Sequence, residues 1–104
     1  PGGLVHLILL LDMRCYGANS FCPVRYLLLD AGAAGQNMVL AAHAVGLESV
    51  WLTFRNKEFS DRLRARFNLP EYMRLVTYVD VGYGDQTPYP PLRWDVKDAV
   101  LGRY

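Results

Sequence analysis

Hydrophobic and polar positions divide the chain into alternating strand and helix segments. Residues 4–11 are almost continuously apolar, and that pattern predicts a strand buried on both faces. Residues 12–19 are mostly polar or small and predict a loop. We expect a helix to begin between Pro23 and Asp30. It should end at Gly46, because glycine adopts the left-handed conformation of a helix cap at little cost.

The same alternation continues through the second half of the chain. Residues 49–54 include Val50, Trp51 and Phe54, whose large side chains favour β structure, and predict a second strand. Residues 56–67 carry apolar side chains at helical spacing and predict a second helix, with Asn56 as its amino-terminal cap. Residues 75–81 predict a third strand. Residues 86–94 contain three prolines, which predicts an extended arm lying on a surface. The last ten residues predict either a short strand or a helical turn.

Length and composition place the chain among folded globular domains. A chain of 104 residues predicts one domain, spanning 1–104. With 52% hydrophobic and 20% charged residues, disorder is not expected, and a net charge of +1 gives no electrostatic case for nucleic acid. The apolar run at 4–11 is too short to span a bilayer. Cys15 and Cys22 match no common zinc or redox spacing, so we expect reduced thiols in a cytoplasmic protein.

The start of the first predicted helix has very little side-chain bulk. Residues 31–35 read Ala-Gly-Ala-Ala-Gly. Glycine inside a helix costs about 1 kcal/mol relative to alanine, so two glycines suggest that another group must approach closely. One interpretation is tight packing against the chain's own sheet. The other is a helix that packs against its twin in a dimer or forms a wall beside a flat ligand.

Residues with obvious chemistry are few. His6 lies in an apolar strand and His43 in an alanine-rich helix, so both are expected to be hydrogen-bonded or edge histidines rather than ligands. No histidine spacing predicts a metal site, and no nucleophile motif occurs. Gly82-Tyr83-Gly84 leads into prolines rather than a helix, which excludes a dinucleotide-binding loop.

Two segments nevertheless resemble a known family. Residues 25–52, RYLLLDAGAAGQNMVLAAHAVGLESVWL, are similar to the central helix and following strand of nitroreductase-like flavoproteins. The resemblance is greatest to the branch that includes the azoline dehydrogenases of thiazole- and oxazole-forming systems. Residues 68–93 continue the likeness with a Leu-Pro element, an apolar strand, a glycine turn and a proline-bearing arm with an arginine. The order of these pieces agrees over roughly residues 4–101.

The resemblance implies an α+β fold with a mixed, largely antiparallel sheet flanked by helices, truncated at the amino terminus. It further implies a homodimer that holds FMN between subunits and transfers hydride from NADH or NADPH to a small acceptor. By analogy, residues 30–45 would form the dimer-interface helix. The strand end would lie against the flavin ring, and the arm arginine would bind the FMN phosphate. The candidate cofactor-binding residues are therefore Leu52, Thr53, Phe54 and Arg93.

The sequence leaves alternatives to this oxidoreductase. The Arg-Arg-Ser-type phosphate motif of the family's amino-terminal half does not occur in these 104 residues. A flavin-free, half-length relative acting as a dimeric binding or interaction module is therefore a second hypothesis. A third is a dimer that binds some other small planar molecule at the subunit interface.

Overall fold

A computed structural model describes residues 4–14 and 24–102, and within them three strands and three helices follow one another. The predicted order of elements is confirmed, including a helical turn near the end of the chain. Residues 15–19 of the predicted loop and both cysteines lie outside the described residues. In chain order the elements are β1 (Val5–Asp12), α1 (Val24–Ala44), β2 (Glu48–Thr53), α2 (Lys57–Arg66), β3 (Met73–Gly82) and α3 (Val96–Ala99).

The three strands form one sheet in the order β1-β3-β2. Both pairings are antiparallel: β1 places Val5 opposite Val81, and β2 places Thr53 opposite Thr77. The register of β1 shifts between Leu9 and Leu10. The predicted α+β class is confirmed, and every strand pair among the described residues is antiparallel.

Helix α1 covers one face of this sheet and makes the core with it. It contacts all three strands, and the side chains between the two layers are aliphatic. Burying such side chains is the main favourable contribution to folding. The buried apolar residues are Leu9, Leu11, Leu27, Ala31, Ala42, Val79 and Val81.

The opposite face of the sheet is much more exposed, so the prediction of a first strand buried on both faces is wrong. Strand β1 was expected to be buried on both faces, yet Leu10 is 38% and Val5 54% exposed, while Leu9 and Leu11 are 7% exposed. Among the described residues only α1 forms a full layer on the sheet, so β1 has one covered face. Continuous apolarity does not show which face is covered.

The predicted end of α1 at a glycine cap is confirmed. Gly46 has a φ of +82°, in the left-handed region. Its N–H donates to the carbonyl of His43, and the N–H of Leu47 donates to the carbonyl of Ala42, each at 3.0 Å. This pair of bonds satisfies carbonyls that the helix end would otherwise leave free, and it directs the chain into β2.

Helix α2 has the predicted amino-terminal cap. The side-chain oxygen of Asn56 accepts a hydrogen bond from the Glu58 N–H at 2.8 Å. At the other end Asn68 has a φ of 49°, and the N–H of Leu69 donates to the carbonyl of Arg64 at 2.9 Å. Asparagine tolerates this left-handed conformation better than most residues, so α2 stops there.

The segment after β3 is extended, as its prolines predict. Pro88 lines hollows together with residues of α1 and β2, but the large apolar side chains beyond it are exposed. Tyr89, Leu92 and Trp94 are 98%, 101% and 85% exposed. The short helix α3 is capped by Asp95, whose carboxylate accepts from the Lys97 N–H at 3.1 Å. These large apolar side chains therefore have no cover within the described chain.

Asp12, at the end of β1, gives a prediction about acid stability. The Arg14 side chain donates two hydrogen bonds to its carboxylate, at 2.8 and 3.1 Å, and the Arg14 N–H donates a third at 2.9 Å. These bonds lower the pKa of Asp12 from 3.8 to about 2. A lowered carboxylate pKa stabilises the fold above the unfolded pKa, and that contribution is lost as the pH falls through the folded pKa.

Asp12→Asn should therefore lower the melting temperature near neutral pH. The gap between wild type and variant should close as the pH falls from 3.8 to about 2. Thermal unfolding followed by circular dichroism across that range measures it. A gap that stays constant with pH would contradict the proposed role of the ionised carboxylate.

Candidate functional site

The end of β2 borders a hollow of about 570 Å³, here called the β2-end pocket. Leu52 and Thr53, two of the predicted cofactor-binding residues, line it. The volume lies in the range typical of small-molecule sites. The other lining residues come from β2, the start of α2 and the middle of β3: Trp51, Arg55, Asn56, Phe59 and Tyr78.

Phe54, the third predicted residue, lines a neighbouring hollow of about 350 Å³ between α2 and the sheet, here called the α2 cleft. Its ring centroid lies 5.0 Å from that of Tyr78 and 6.1 Å from that of Phe59. Phe59 and Tyr78 line both hollows, so they form a shared wall. The remaining residues of the α2 cleft are His6, Ile8, Leu63, Phe67 and Asp80.

The β2-end pocket is held in shape by Trp51. The indole N–H donates to the Thr77 hydroxyl at 2.6 Å, and that hydroxyl donates to the carbonyl of Leu52. On its other side the indole lies directly against Gly35 of α1, where a Cβ would come within 2.7 Å of Cζ2. The small residue at position 35 therefore admits the chain's own tryptophan, in agreement with packing against its own sheet.

Arg93 is not brought to this pocket within the described chain. It lies in a shallow depression formed only by residues of the arm and α3, namely Leu92, Arg93, Trp94, Asp95 and Asp98. The structure thus brings Leu52, Thr53 and Phe54 together around one shared wall, and it leaves Arg93 on the exposed arm. The role of Arg93 in phosphate binding stays a prediction.

Sequence reasoning missed Arg55 as a site residue. It is the cation that lines the β2-end pocket, and it lies two residues after Thr53, the last residue of β2. Its place directly after Leu52, Thr53 and Phe54 in the sequence was the feature that could have identified it. Asn56 lines the same pocket, although its side-chain oxygen is already engaged in capping α2.

The chemistry of the β2-end pocket fits a planar anionic ligand. Trp51, Phe59 and Tyr78 offer aromatic surface for a flat ring. Arg55 can bind an anionic group in a bidentate manner, and Thr53 supplies a hydroxyl. An isoalloxazine ring with a phosphate has these properties, so the residues present fit FMN.

Neither a candidate metal site nor a candidate membrane-spanning helix occurs in residues 4–14 and 24–102. No cluster of three or more metal-ligating side chains occurs there. None of the helices in these ranges has the length and apolarity needed to cross a membrane.

An antiparallel sheet covered by one long helix defines an α+β protein, and an aromatic pocket lies at one strand end. Comparison with known families makes this specific. Residues 23–83, more than half of the chain, match the model of the nitroreductase family. The chain belongs to the nitroreductase family, and the resemblance inferred from sequence is confirmed. Its placement in the azoline-dehydrogenase-like branch stays a prediction.

Individual relatives agree with this assignment. The chain is 32% identical over 60 residues to a Methanothermobacter thermautotrophicus protein named "Putative NADH dehydrogenase/NAD(P)H nitroreductase", which covers 57% of this chain and 31% of that protein. A crystal structure of a protein of the same name from Bacteroides thetaiotaomicron is 30% identical, with a TM-score of 0.68 over 95% of this chain and 55% of the other.

A nitroreductase family protein from Streptococcus pneumoniae is 26% identical with a TM-score of 0.67, over 77% of this chain and 38% of that one. The chain therefore spans about a third of the curated relative and about half or less of these two structural relatives. What it shares with them is one contiguous part of the nitroreductase fold.

Proposed function

We propose that the chain forms part of a flavin-dependent oxidoreductase that transfers hydride from NADH or NADPH through FMN to a small acceptor. The observation that carries the proposal is the β2-end pocket, where aromatic walls and the Arg55 cation meet in a member of the nitroreductase family. A Clostridium difficile structure that shares the fold, at a TM-score of 0.69 and 20% identity, is named an FMN-dependent nitroreductase. The absence of an evident acid–base motif agrees with chemistry supplied by a cofactor.

Each predicted residue has a distinct part in this proposal. FMN, when bound, supplies the hydride chemistry. Leu52 and Thr53 line the pocket that would receive the flat ring, and Phe54 packs against Tyr78, a residue that lines both hollows. Arg93 binds the phosphate, with Arg55 as a second cation at the pocket. Guanidinium groups suit that task because their paired N–H donors match two phosphate oxygens.

The proposed working unit is a homodimer, and two exposed apolar surfaces support it. The outward side of α1 carries Leu29 and Leu40, which are 67% and 57% exposed. The arm carries Leu92 and Trp94, and Leu101 follows α3; each of the three is at least 85% exposed. A second copy that covers both surfaces would also give the arm, and with it Arg93, a place to dock.

Arg93→Ala is expected to weaken FMN binding by tenfold or more, because a charged bond to the phosphate is lost. Titration of the purified protein with FMN, followed by flavin fluorescence, measures this. Arg62→Ala is the matched control, since Arg62 is an exposed arginine of α2 that lines neither hollow. Unchanged affinity in Arg93→Ala would remove Arg93 from the site, and a parallel Arg55→Ala titration would show whether Arg55 holds the phosphate instead.

The second candidate is a flavin-free dimeric binding module. It is favoured by the arm depression that holds Arg93, which shares no lining residue with the β2-end pocket. A colourless dimer that does not bind added FMN would support this function over the oxidoreductase. Stabilisation of that dimer by other planar aromatic compounds would place a different small ligand at the interface.

A further inference from the structure

A histidine–aspartate pair lies on the open face of the sheet, outside the residues used for the proposed function. His6 of β1 and Asp80 of β3 are direct partners in the antiparallel register, and His6 Nδ1 is hydrogen-bonded to Asp80 Oδ1. The Asp80 side chain is 12% exposed, whereas the His6 side chain is 57% exposed. The pair therefore has a buried acidic member and an accessible imidazole.

The pairing determines what the imidazole can offer to a ligand. An ionised carboxylate can only accept hydrogen bonds, so Nδ1 of His6 must carry the hydrogen. In the neutral ring this leaves Nε2 with a free lone pair, and the Asp80 bond fixes both the tautomer and the ring orientation. His6 is thus a hydrogen-bond acceptor whose ring orientation is fixed by Asp80.

This acceptor borders the α2 cleft, whose other walls are almost entirely apolar. Ile8, Leu63 and Phe67 line the cleft together with the packed rings of Phe54, Phe59 and Tyr78. The Tyr78 ring also meets the His6 ring edge-on, with centroids 6.4 Å apart and planes at 67°. An apolar hollow of about 350 Å³ with a few convergent polar groups is the usual form of a small-molecule site.

We propose that the α2 cleft binds a small hydroxyaromatic molecule whose ring packs among these aromatic side chains and whose hydroxyl donates to His6 Nε2. The aromatic wall favours a planar ring over an aliphatic chain because ring edges and faces pack with specific attraction. The lone pair of Nε2 favours a hydroxyl hydrogen over a carbonyl. The α2 cleft lies on the other side of the Phe59–Tyr78 wall from Leu52 and Thr53, and Phe54 is the one predicted cofactor-binding residue that lines it.

A pair of ligands tests the hydrogen bond directly. The probes are 2-naphthol and 2-methoxynaphthalene, which share a ring system but differ in the hydroxyl hydrogen. Calorimetric titration of the flavin-free chain should show 2-naphthol binding three- to tenfold more tightly, the range expected for one buried hydrogen bond. Equal affinities, or no binding of either compound, would overturn the proposal.

A matched pair of variants assigns the bond to His6. In His6→Asn the side-chain amide can still donate to Asp80, but nothing replaces Nε2. This variant should bind 2-naphthol no more tightly than 2-methoxynaphthalene, while His43→Asn, on an exposed histidine of α1, should keep the wild-type preference. A preference that survives in His6→Asn would overturn the assignment, and so would displacement of 2-naphthol by FMN.

A measurement on the wild-type chain covers the case in which His6→Asn does not fold. Imidazole nitrogen resonances report separately on Nδ1 and Nε2. Addition of 2-naphthol should move the Nε2 resonance of His6 and leave both nitrogens of His43 in place. An unmoved Nε2 at saturating 2-naphthol would rule out the proposed bond.

Discussion

Replacing Gly35 by leucine is expected to destabilise the folded chain by about 2 kcal/mol or more, because the position has no room for a side chain. A Cβ there would lie 2.7 Å from Cζ2 and 2.8 Å from Cη2 of Trp51, closer than real contacts allow. The indole cannot simply rotate away, since its N–H is bonded to Thr77. The helix or the tryptophan must therefore shift, and the core between α1 and the sheet shifts with it.

Gly32, three positions earlier in α1, is the matched control. A Cβ at Gly32 meets no atom within 4 Å. Alanine favours the helix by about 1 kcal/mol over glycine, so Gly32→Ala should stabilise the chain. Gly35→Ala should lose that gain to the clash with Trp51, and urea unfolding of both variants measures the difference. Trp51→Phe, with its smaller ring, should reduce the cost of Gly35→Ala if the two positions are coupled.

One experimental result would show that Gly35 lies at the subunit interface. If Gly35→Leu kept its full stability and instead lost a dimeric state, the small residue would be facing a second copy rather than Trp51. Packing against a second copy was one of the two interpretations from sequence. The contact between Gly35 and Trp51 favours the other, which is packing against the chain's own sheet.

The case of Gly35 shows where sequence reasoning reaches its limit. Two glycines in a helix indicated that another group packs closely against it, because glycine destabilises a helix and would be retained where a side chain does not fit. Nothing local identified the partner, since Trp51 lies 16 positions further along the chain and reaches α1 only through the sheet. Helix ends, by contrast, depend on one or two residues, and the caps at Gly46 and Asn56 were predicted correctly.

The candidate site also contains residues that the sequence could predict and residues that it could not. Leu52, Thr53 and Phe54 were predicted from the family resemblance, and no long-range contact was needed to group them because they are consecutive. Their contact with flavin stays a prediction. His6 and Asp80 are 74 positions apart, and only the register of β1 on β3 makes them partners. A bonded His6 was foreseen, but its acidic partner could not be, because register depends on which face of each strand is buried.

The outer face of α1, opposite the sheet, provides the second large prediction. Exposed side chains recur there at spacings of three and four, at positions 26, 29, 33, 37, 40 and 44, and all but Asn37 are apolar. Such a row is typical of one helix packing on another. Leu29 is 67%, Leu40 57% and Tyr26 46% exposed. Ala33 and Ala44 continue the same row and are also exposed. The proposed dimer therefore uses this row rather than the glycines, which gives a different variant to test.

Leu40→Lys is expected to convert the proposed dimer to a monomer and to raise its dissociation constant about 100-fold or more. Burial of an anchoring side chain at the centre of an interface is typically worth 2 kcal/mol or more, and near a two-fold axis the lysine would also face its own copy. Sedimentation across a range of protein concentrations measures the change. The fold should be retained, because Leu40 already projects away from the core.

Val45→Lys separates loss of the interface from a general effect of added charge. Val45 is 73% exposed and immediately follows the last residue of α1, outside the outer row. A lysine there also interacts favourably with the carboxyl end of the helix, so this variant should remain dimeric and fully stable. Equal dissociation by both substitutions would point to charge alone. A dimer that survives Leu40→Lys would mean that two copies do not meet through α1, and the exposed arm would then be another apolar surface able to join them.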